Sequence, residues 1–158
     1  MNTKQFNQWF TLAANVGVIF GILLLVFELQ QNRDLMKAQI RTEISKGIFD
    51  LFTLTAENPQ LADLLYRADK GEALTPAEHF QYASRTRAMF RYFENVNYQY
   101  RQGLYEQSEY DKQKSAWKNY LNKSKIAVSI WCDYRTTVSE GLMLEIDSLL
   151  ETNKCGPS

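Results

Sequence analysis

One apolar stretch, running from Trp9 to Leu29, constrains the fold of this chain more than any other part of its sequence. Between Phe10 and Phe27 it has no charged residue, and its only strongly polar side chain is that of Asn15. A helix of this length is about 27–31 Å long, which matches the hydrocarbon thickness of a bilayer. The sequence therefore predicts one transmembrane helix. The alternative is a buried core helix, but a single core rarely needs a helix that is apolar on every side.

The composition of the whole chain favours an all-α fold. Pro and Gly are scarce, at 3 and 7 of 158 residues, while aromatic residues make up 13%, so helix breakers are few and packing residues are common. Lys plus Arg equals Asp plus Glu at 18 each, which leaves no basic excess of the kind that nucleic-acid binders show. We expect the transmembrane helix to continue into a long stalk helix, followed by a bundle of four to five shorter helices.

No proline occurs between Trp9 and Asn58, so the first helix can run to about Ala56. The whole chain divides into five predicted segments. The segments are an extracytoplasmic tail at 1–8, the transmembrane helix at 9–29, the stalk helix at 30–57, a cytoplasmic helical domain at 58–152 and a tail at 153–158.

Basic residues on the two sides of the apolar stretch predict its orientation. Arg33, Lys37, Arg41 and Lys46 follow it within about 20 residues, the window in which the positive-inside rule applies, whereas Lys4 and the amino group precede it. The N-terminus is therefore expected outside and the large C-terminal part in the cytoplasm. No small-x-small cleavage pattern follows the stretch, so we interpret it as an uncleaved anchor.

Small residues recur every four positions within the apolar stretch. Ala13, Gly17 and Gly21 form a stripe that contains a GxxxG motif, and Leu24 falls on the same side of the helix. Small side chains let two membrane helices approach closely, so the stripe predicts a homo-oligomer. The alternative is that the glycines have no specific partner.

Glu28 lies seven residues after Gly21, at the cytoplasmic edge of the apolar zone. Two interpretations remain open. The carboxylate pairs with a basic residue such as Arg33 of its own or a neighbouring chain, because carboxylates at a membrane edge rarely face lipid. Alternatively, several copies of Glu28 form a ring at the mouth of a pore, as carboxylates do in cation channels.

The predicted stalk carries an apolar stripe at helical spacing, formed by Met36, Ile40, Ile44 and Ile48 and extended by Leu51 and Phe52. Such a stripe must be buried, either against its own domain or against the same stripe of a neighbouring copy. In an oligomer it would continue the contact that the transmembrane stripe begins.

Capping signals mark the helix ends of the predicted cytoplasmic domain. Asn58 with a following proline starts a short helix that ends at Gly71, and the capping box from Thr75 to Glu78 starts a long helix ending near Gly103. Two further helices are expected to begin at serine caps, namely Ser108 and Ser139.

The long helix has two distinct faces. One is apolar and predicts core; its members are Phe80, Ala83, Phe90, Phe93, Val96 and Tyr100. The other is mostly charged; its members are Arg87, Arg91, Glu94, Tyr98 and Arg101. The charged face is either a surface that binds an anion or a partner, or a salt-bridge ladder between helices through Glu94.

No pattern of residues predicts catalysis, a cofactor or a metal site. His79 is the only histidine, and neither a dinucleotide-binding fingerprint nor a P-loop occurs. Cys132 and Cys155 are far apart and form no CxxC pair, which argues against a disulfide framework or a zinc site and favours a reducing compartment. The chain is therefore not expected to be an enzyme.

Three segments together carry a resemblance to known proteins: FELQQN at Phe27–Asn32, NPQLADLL at Asn58–Leu65 and RYFENVNYQYRQGL at Arg91–Leu104. They resemble a widespread group of small bacterial single-pass membrane proteins that have an apolar N-terminal helix and a helical cytoplasmic domain. The resemblance implies the bacterial inner membrane as the location and brings no activity, cofactor or catalytic residue.

Two functions are compatible with the sequence. The first is a homo-oligomeric single-pass membrane protein, held by the small-residue stripe and able to conduct ions if the ring is wide enough. The second is a dimeric, membrane-anchored scaffold or regulatory module whose helical domain holds a cytoplasmic protein partner. In both, the lipid bilayer and other copies of the chain are the expected partners.

Overall fold

The structure, a computed structural model, describes residues 3–150 together with Cys155. These residues contain α-helices and no strand, which confirms the all-α prediction. The helices are α1 (Thr3–Ala56), α2 (Pro59–Asp69), α3 (Pro76–Arg101), α4 (Gln107–Lys123), α5 (Lys125–Tyr134) and α6 (Glu140–Leu149), with a 3-10 turn at Arg135–Thr137 between the last two. The chain forms two compact units, Met1–Gln39 and Ile40–Ser158.

Helix α1 extends as far as the sequence predicts. It ends at Ala56, two residues before the Asn58-Pro59 pair that begins α2. At the other end, the helical conformation already begins at Thr3, within the segment that the sequence assigns to a tail. The absence of proline up to Asn58 accounts for this unbroken length.

The caps of α2 and α3 form as predicted. The side chain of Asn58 accepts a hydrogen bond from the Leu61 backbone N–H at 3.0 Å. At the start of α3 both bonds of the capping box are present, because Glu78 N–H donates to Thr75 Oγ1 at 3.3 Å and Thr75 N–H donates to Glu78 Oε2 at 2.8 Å. Gly71, which follows α2, has a φ of +80°, a conformation that favours glycine.

The predicted serine caps of the later helices are wrong in detail. Helix α4 begins at Gln107 with Glu106 in the N-cap position, so Ser108 already lies inside the first turn. The extended backbone of Glu106, with ψ at 144°, explains the earlier start. Ser139 does occupy the N-cap of α6, but its hydroxyl forms no cap bond.

Helix α3 is the centre of the second unit and packs against α2, α4, α5 and α6. Phe90 and Val96 are completely buried, as their positions on the apolar face of this helix predict. Phe80, predicted on the same face, is 70% exposed, because the buried part of α3 begins only at Tyr82 and Ala83.

Aromatic side chains fill much of the core around α3. The ring of Phe90 lies 4.9 Å from that of Trp131 in α5, and the ring of Phe93 stacks on Trp117 in α4 at 4.7 Å between centroids. Leu142 and Ile146 of α6 are also completely buried. The Tyr and Trp richness of this part of the chain therefore serves packing.

Candidate membrane helix and its surroundings

The apolar residues of α1 are exposed along the whole stretch that the sequence assigns to the bilayer. Every residue from Trp9 to Leu29 is solvent-exposed, with Trp9 and Phe10 each at 69% and Leu24 at 63%. Within the described residues, α1 is the helix that is long and apolar enough to cross a membrane. Because its apolar stretch is not buried within the chain, it is not the core helix of its own fold.

The small-residue stripe faces open space. A Cβ added at Gly17 or at Gly21 would meet no atom within 4 Å. Ala13 and Leu24 are likewise exposed. No contact among residues 3–150 therefore requires small residues at these positions, in contrast to Gly47 further along the same helix.

Glu28 and Arg33, the residues predicted at the cytoplasmic edge, are both exposed on α1. Their exposure is compatible with both interpretations of Glu28 and does not decide between them.

The stalk stripe is divided between exposed and buried positions. Met36 is 48% exposed, whereas Ile44 is only 2% exposed and belongs to the hydrophobic core of the second unit. Ile40 and Ile48 are partly buried and pack against that core. For Ile44 the structure shows the first of the two predicted alternatives, burial against its own domain. A contact of this stripe with a neighbouring copy stays a prediction for the exposed Met36.

Gly47 makes the close packing of α1 in the second unit possible. A Cβ at this position would lie 3.3 Å from Cδ2 of Tyr92 in α3, a tighter approach than side chains usually make. The sequence shows Gly47 as an isolated glycine in a helical pattern, which by itself signals a packing or a functional reason. Only the fold identifies the partner ring.

On the charged face of α3 the structure shows an ion pair within the helix, between Arg91 and Glu94, in place of the predicted salt-bridge ladder between helices. Arg91 Nη1 lies 2.5 Å from Glu94 Oε2, and the other oxygen of Glu94 accepts a hydrogen bond from the Ser139 N–H at 2.5 Å. Burial alone would raise the pKa of Glu94, but the Ser139 N–H and Arg91 outweigh it and hold that pKa below its usual value. The negative charge of Glu94 thus stabilises the N-terminus of α6 through the helix dipole.

Arg101, at the far end of the same face, lies directly against α6. A Cβ at Gly141 would come within 1.8 Å of its Nη1 atom, so glycine at this position leaves the room that the guanidinium occupies. The arginine borders an open cleft of about 610 Å³, which Asn97, Tyr100 and Glu145 also line. The cleft mixes both signs of charge and shows no preference for one class of ligand.

A disulfide joins Cys132 and Cys155, contrary to the expectation from the sequence. The two Cα atoms are 5.2 Å apart although the residues are separated by 23 positions. The turn at Arg135–Thr137 and the whole of α6 lie between them. No spacing motif could reveal this pairing, because it depends on how the chain reverses after α5.

Polar side chains also tie α6 to its neighbours. The indole N–H of Trp131 in α5 donates to Asp147 Oδ1 at 2.9 Å, and Arg135 lies 3.3 Å from the other oxygen of the same carboxylate. Lys114 of α4 forms a salt bridge with Glu145. Together with the disulfide, these contacts cross-link the last three helices.

Among residues 3–150 and Cys155, no three His, Cys, Asp or Glu side chains are gathered closely enough to hold a metal ion. In comparisons with known proteins, the chain matches no protein-family model, no curated protein and no solved structure.

Proposed function

We propose that this chain is a single-pass membrane protein that associates with copies of itself and anchors a helical domain at the membrane surface. One observation carries the proposal: the residues from Trp9 to Leu29 are apolar, helical and exposed throughout. Leu, Ile, Phe and Val each contribute about 0.3–0.6 kcal/mol to insertion near the centre of a transmembrane helix. A stretch this rich in them is far more stable in lipid than in water.

Self-association through Ala13, Gly17 and Gly21 is the second part of the proposal. In lipid no hydrophobic driving force brings helices together, so close backbone packing and interhelical hydrogen bonds must do so. The open space around Gly17 and Gly21 supports this role, because no packing within the chain accounts for the two glycines.

A pair of variants tests the association. Gly17→Leu combined with Gly21→Leu is expected to convert the cross-linked oligomer to monomer in native membranes, because bulky side chains keep the backbones apart. The matched control, Val18→Leu with Ile22→Leu, alters the same helix at the same spacing but on an adjacent face, and should leave the oligomer intact. An oligomer that survives the glycine changes would place the interface elsewhere.

The helical domain of residues 58–152 is proposed to hold a cytoplasmic protein partner. The burial of Ile44 within its own chain supports this role over an extended collar, because the side chain of Ile44 is not free to bind a second copy. No enzymatic activity is proposed. A dimer is sufficient for the role of holding a partner.

An ion-conducting pore is the second candidate, and the position of Glu28 supports it. Glu28 is exposed and lies seven residues after Gly21, on the face of the helix that carries the small residues. In a ring of four or more subunits its carboxylates would line the inner mouth. Counting subunits in nanodiscs decides between the candidates, since two helices enclose no lumen. With four or more, Glu28→Gln should change cation selectivity in bilayer recordings, and a wild type that carries no current would exclude the pore.

The proposed location is the bacterial inner membrane, with the N-terminus outside and residues 58–152 in the cytoplasm. The basic residues after the apolar stretch support this orientation, and the resemblance to small bacterial single-pass proteins supports the membrane. A green fluorescent protein fused to the C-terminus should fluoresce, and alkaline phosphatase fused there should be inactive. The opposite result would reverse the orientation.

A further inference from the structure

Contacts at its start, near its end and beyond its end hold helix α6 in place. At its start, the Ser139 N–H donates to Glu94 of α3. Near its end, Asp147 accepts from Trp131 of α5. Beyond its end, Cys155 is bonded to Cys132 of α5. The first two contacts are ordinary non-covalent ones, whereas the third depends on the redox state of the surroundings.

The two cysteine residues differ in their exposure to solvent. Cys132 lies near the end of α5 and is half-buried, whereas Cys155 is 8% exposed. The Cα separation of 5.2 Å lies within the range that disulfides adopt without backbone movement. The folded domain therefore holds both thiols in position to pair, and Cys132 is the more exposed residue of the pair.

We propose that Cys132 and Cys155 form a reversible thiol–disulfide switch that fastens the chain beyond α6 to α5. The proposal rests on the cytoplasmic orientation proposed above. Cytosolic thiols are kept reduced, and the disulfides that do form there are usually transient, catalytic or redox-sensing. We assign redox sensing to this pair, since it ties the chain beyond α6 to α5 by a bond that cellular thiols can break.

The chemistry requires only the thiols and disulfides of the cell. For opening, the thiolate of a low-molecular-weight thiol attacks the sulfur of Cys132, the S–S bond breaks and Cys155 leaves as a thiolate. A second thiol then attacks the mixed disulfide, so that one protein disulfide and two thiols give two protein thiols and one small-molecule disulfide. Closing is the reverse reaction and consumes a small-molecule disulfide as the oxidant.

The mechanical consequence falls on the end of α6. Leu142 and Ile146 are completely buried and keep the helix docked in either state. Leu149 and Leu150 lie at the end that loses its covalent tie on reduction, and they are the apolar residues nearest to it. The reduced state is thus the one in which this end of α6 opens more often.

Thiol trapping in intact cells tests the switch. After acid quenching, a polyethylene-glycol maleimide should add two labels to the resting protein and none after treatment with diamide, a thiol oxidant. A Cys155→Ser variant, with Cys132 as its remaining thiol, should not form the intramolecular bond. Protein that is already oxidised at rest, or that stays reduced after diamide, would overturn the proposal.

The fusion reporters separate this failure from failure of the proposed orientation. A C-terminus outside, together with a constitutive disulfide, would overturn both the switch and the orientation. A C-terminus inside, with a bond that never changes, would overturn the switch alone. The subunit count is independent of both results.

Hydrogen exchange on the full-length protein in detergent tests the consequence for α6. Reduction with dithiothreitol should speed exchange of the α6 backbone amides by about tenfold or more and leave α2 unchanged. The Cys132→Ser, Cys155→Ser double variant should exchange like the reduced protein and should not respond to dithiothreitol. Equal exchange in the oxidised and reduced protein would show that the bond does not restrain α6 and would overturn the proposal.

Discussion

Helices α1 and α3 carry similar apolar side chains in opposite surroundings. In α3, Phe90 is completely buried against the aromatic residues of neighbouring helices. In α1, Phe20 is 63% exposed, and so are the apolar residues on every side of it. Both helices are well formed, so the difference does not lie in helix propensity but in what covers the side chains.

The contrast shows how the chain separates two apolar surfaces. Each helix around the core of the second unit has an apolar face and a polar face. It turns the apolar face to the core and the polar face to water. The stretch from Trp9 to Leu29 has no polar face to turn to water. In the proposed membrane location, lipid, or lipid and another copy of the helix, would cover this stretch.

The largest difference should appear when one large residue is truncated in each region. Trp131→Ala is expected to cost about 3–5 kcal/mol of the free energy of unfolding of the helical domain, because it removes a completely buried side chain. Leu23→Ala, in the exposed stretch, should leave that free energy unchanged. Denaturation of the full-length protein in detergent measures both. A comparable loss from Leu23→Ala would mean that the apolar stretch is part of the domain core.

The disulfide should have the next largest effect, and again only in the second unit. Under oxidising conditions the Cys132→Ser, Cys155→Ser variant should unfold with a free energy lower by about 3 kcal/mol, because the bond closes a loop of 23 residues in sequence. In dithiothreitol the variant and the wild type should become equally stable. A difference that persists in the reductant would come from packing of the sulfur atoms and not from the bond.

Loss of the cap of α3 should have a smaller effect. Thr75→Ala removes the hydroxyl that accepts the Glu78 N–H and is expected to cost about 1 kcal/mol. Thr11→Ala, a substitution of the same type within α1, should not change unfolding of the domain. Thermal melts of both variants in the same detergent measure the change in melting temperature. An equal decrease in the two variants would contradict the independence of the apolar stretch of α1 from the helical domain.

The smallest effect should be a weak decrease in the stability of the helical domain at acid pH. Hydrogen bonds from Arg67 and from Thr75 lower the pKa of Glu78 to about 2. Because the folded pKa lies below the unfolded value, this carboxylate stabilises the domain above about pH 4.5 and loses its contribution as the pH falls towards 2. Glu78→Gln should reduce the slope of the melting temperature against pH across that interval. An unchanged slope would assign the acid dependence to other carboxylates such as Glu94.

Most of the helix boundaries could be predicted from the sequence because they depend on neighbouring residues. The cap of Asn58, the capping box at Thr75 and the glycine at Gly71 each act within about one turn of a helix, and each is found as predicted. The core positions Phe90 and Val96 follow from helical periodicity alone.

What could not be predicted depends on contacts between distant parts of the chain. Gly47 accommodates Tyr92, Gly141 accommodates Arg101, and Cys132 meets Cys155 across α6. No local pattern shows these pairs, since each arises only when the helices have packed. The exposure of Phe80 has the same origin, because periodicity identifies the face of α3 but not where along that face the neighbouring helices begin.

Extraction of the full-length protein from membranes tests the central claim, that the stretch from Trp9 to Leu29 lies in lipid, most directly. The account predicts that the protein stays in the membrane pellet after an alkaline carbonate wash and is released only by detergent. A protein that passes into the carbonate supernatant as a monomer without any detergent would contradict the account.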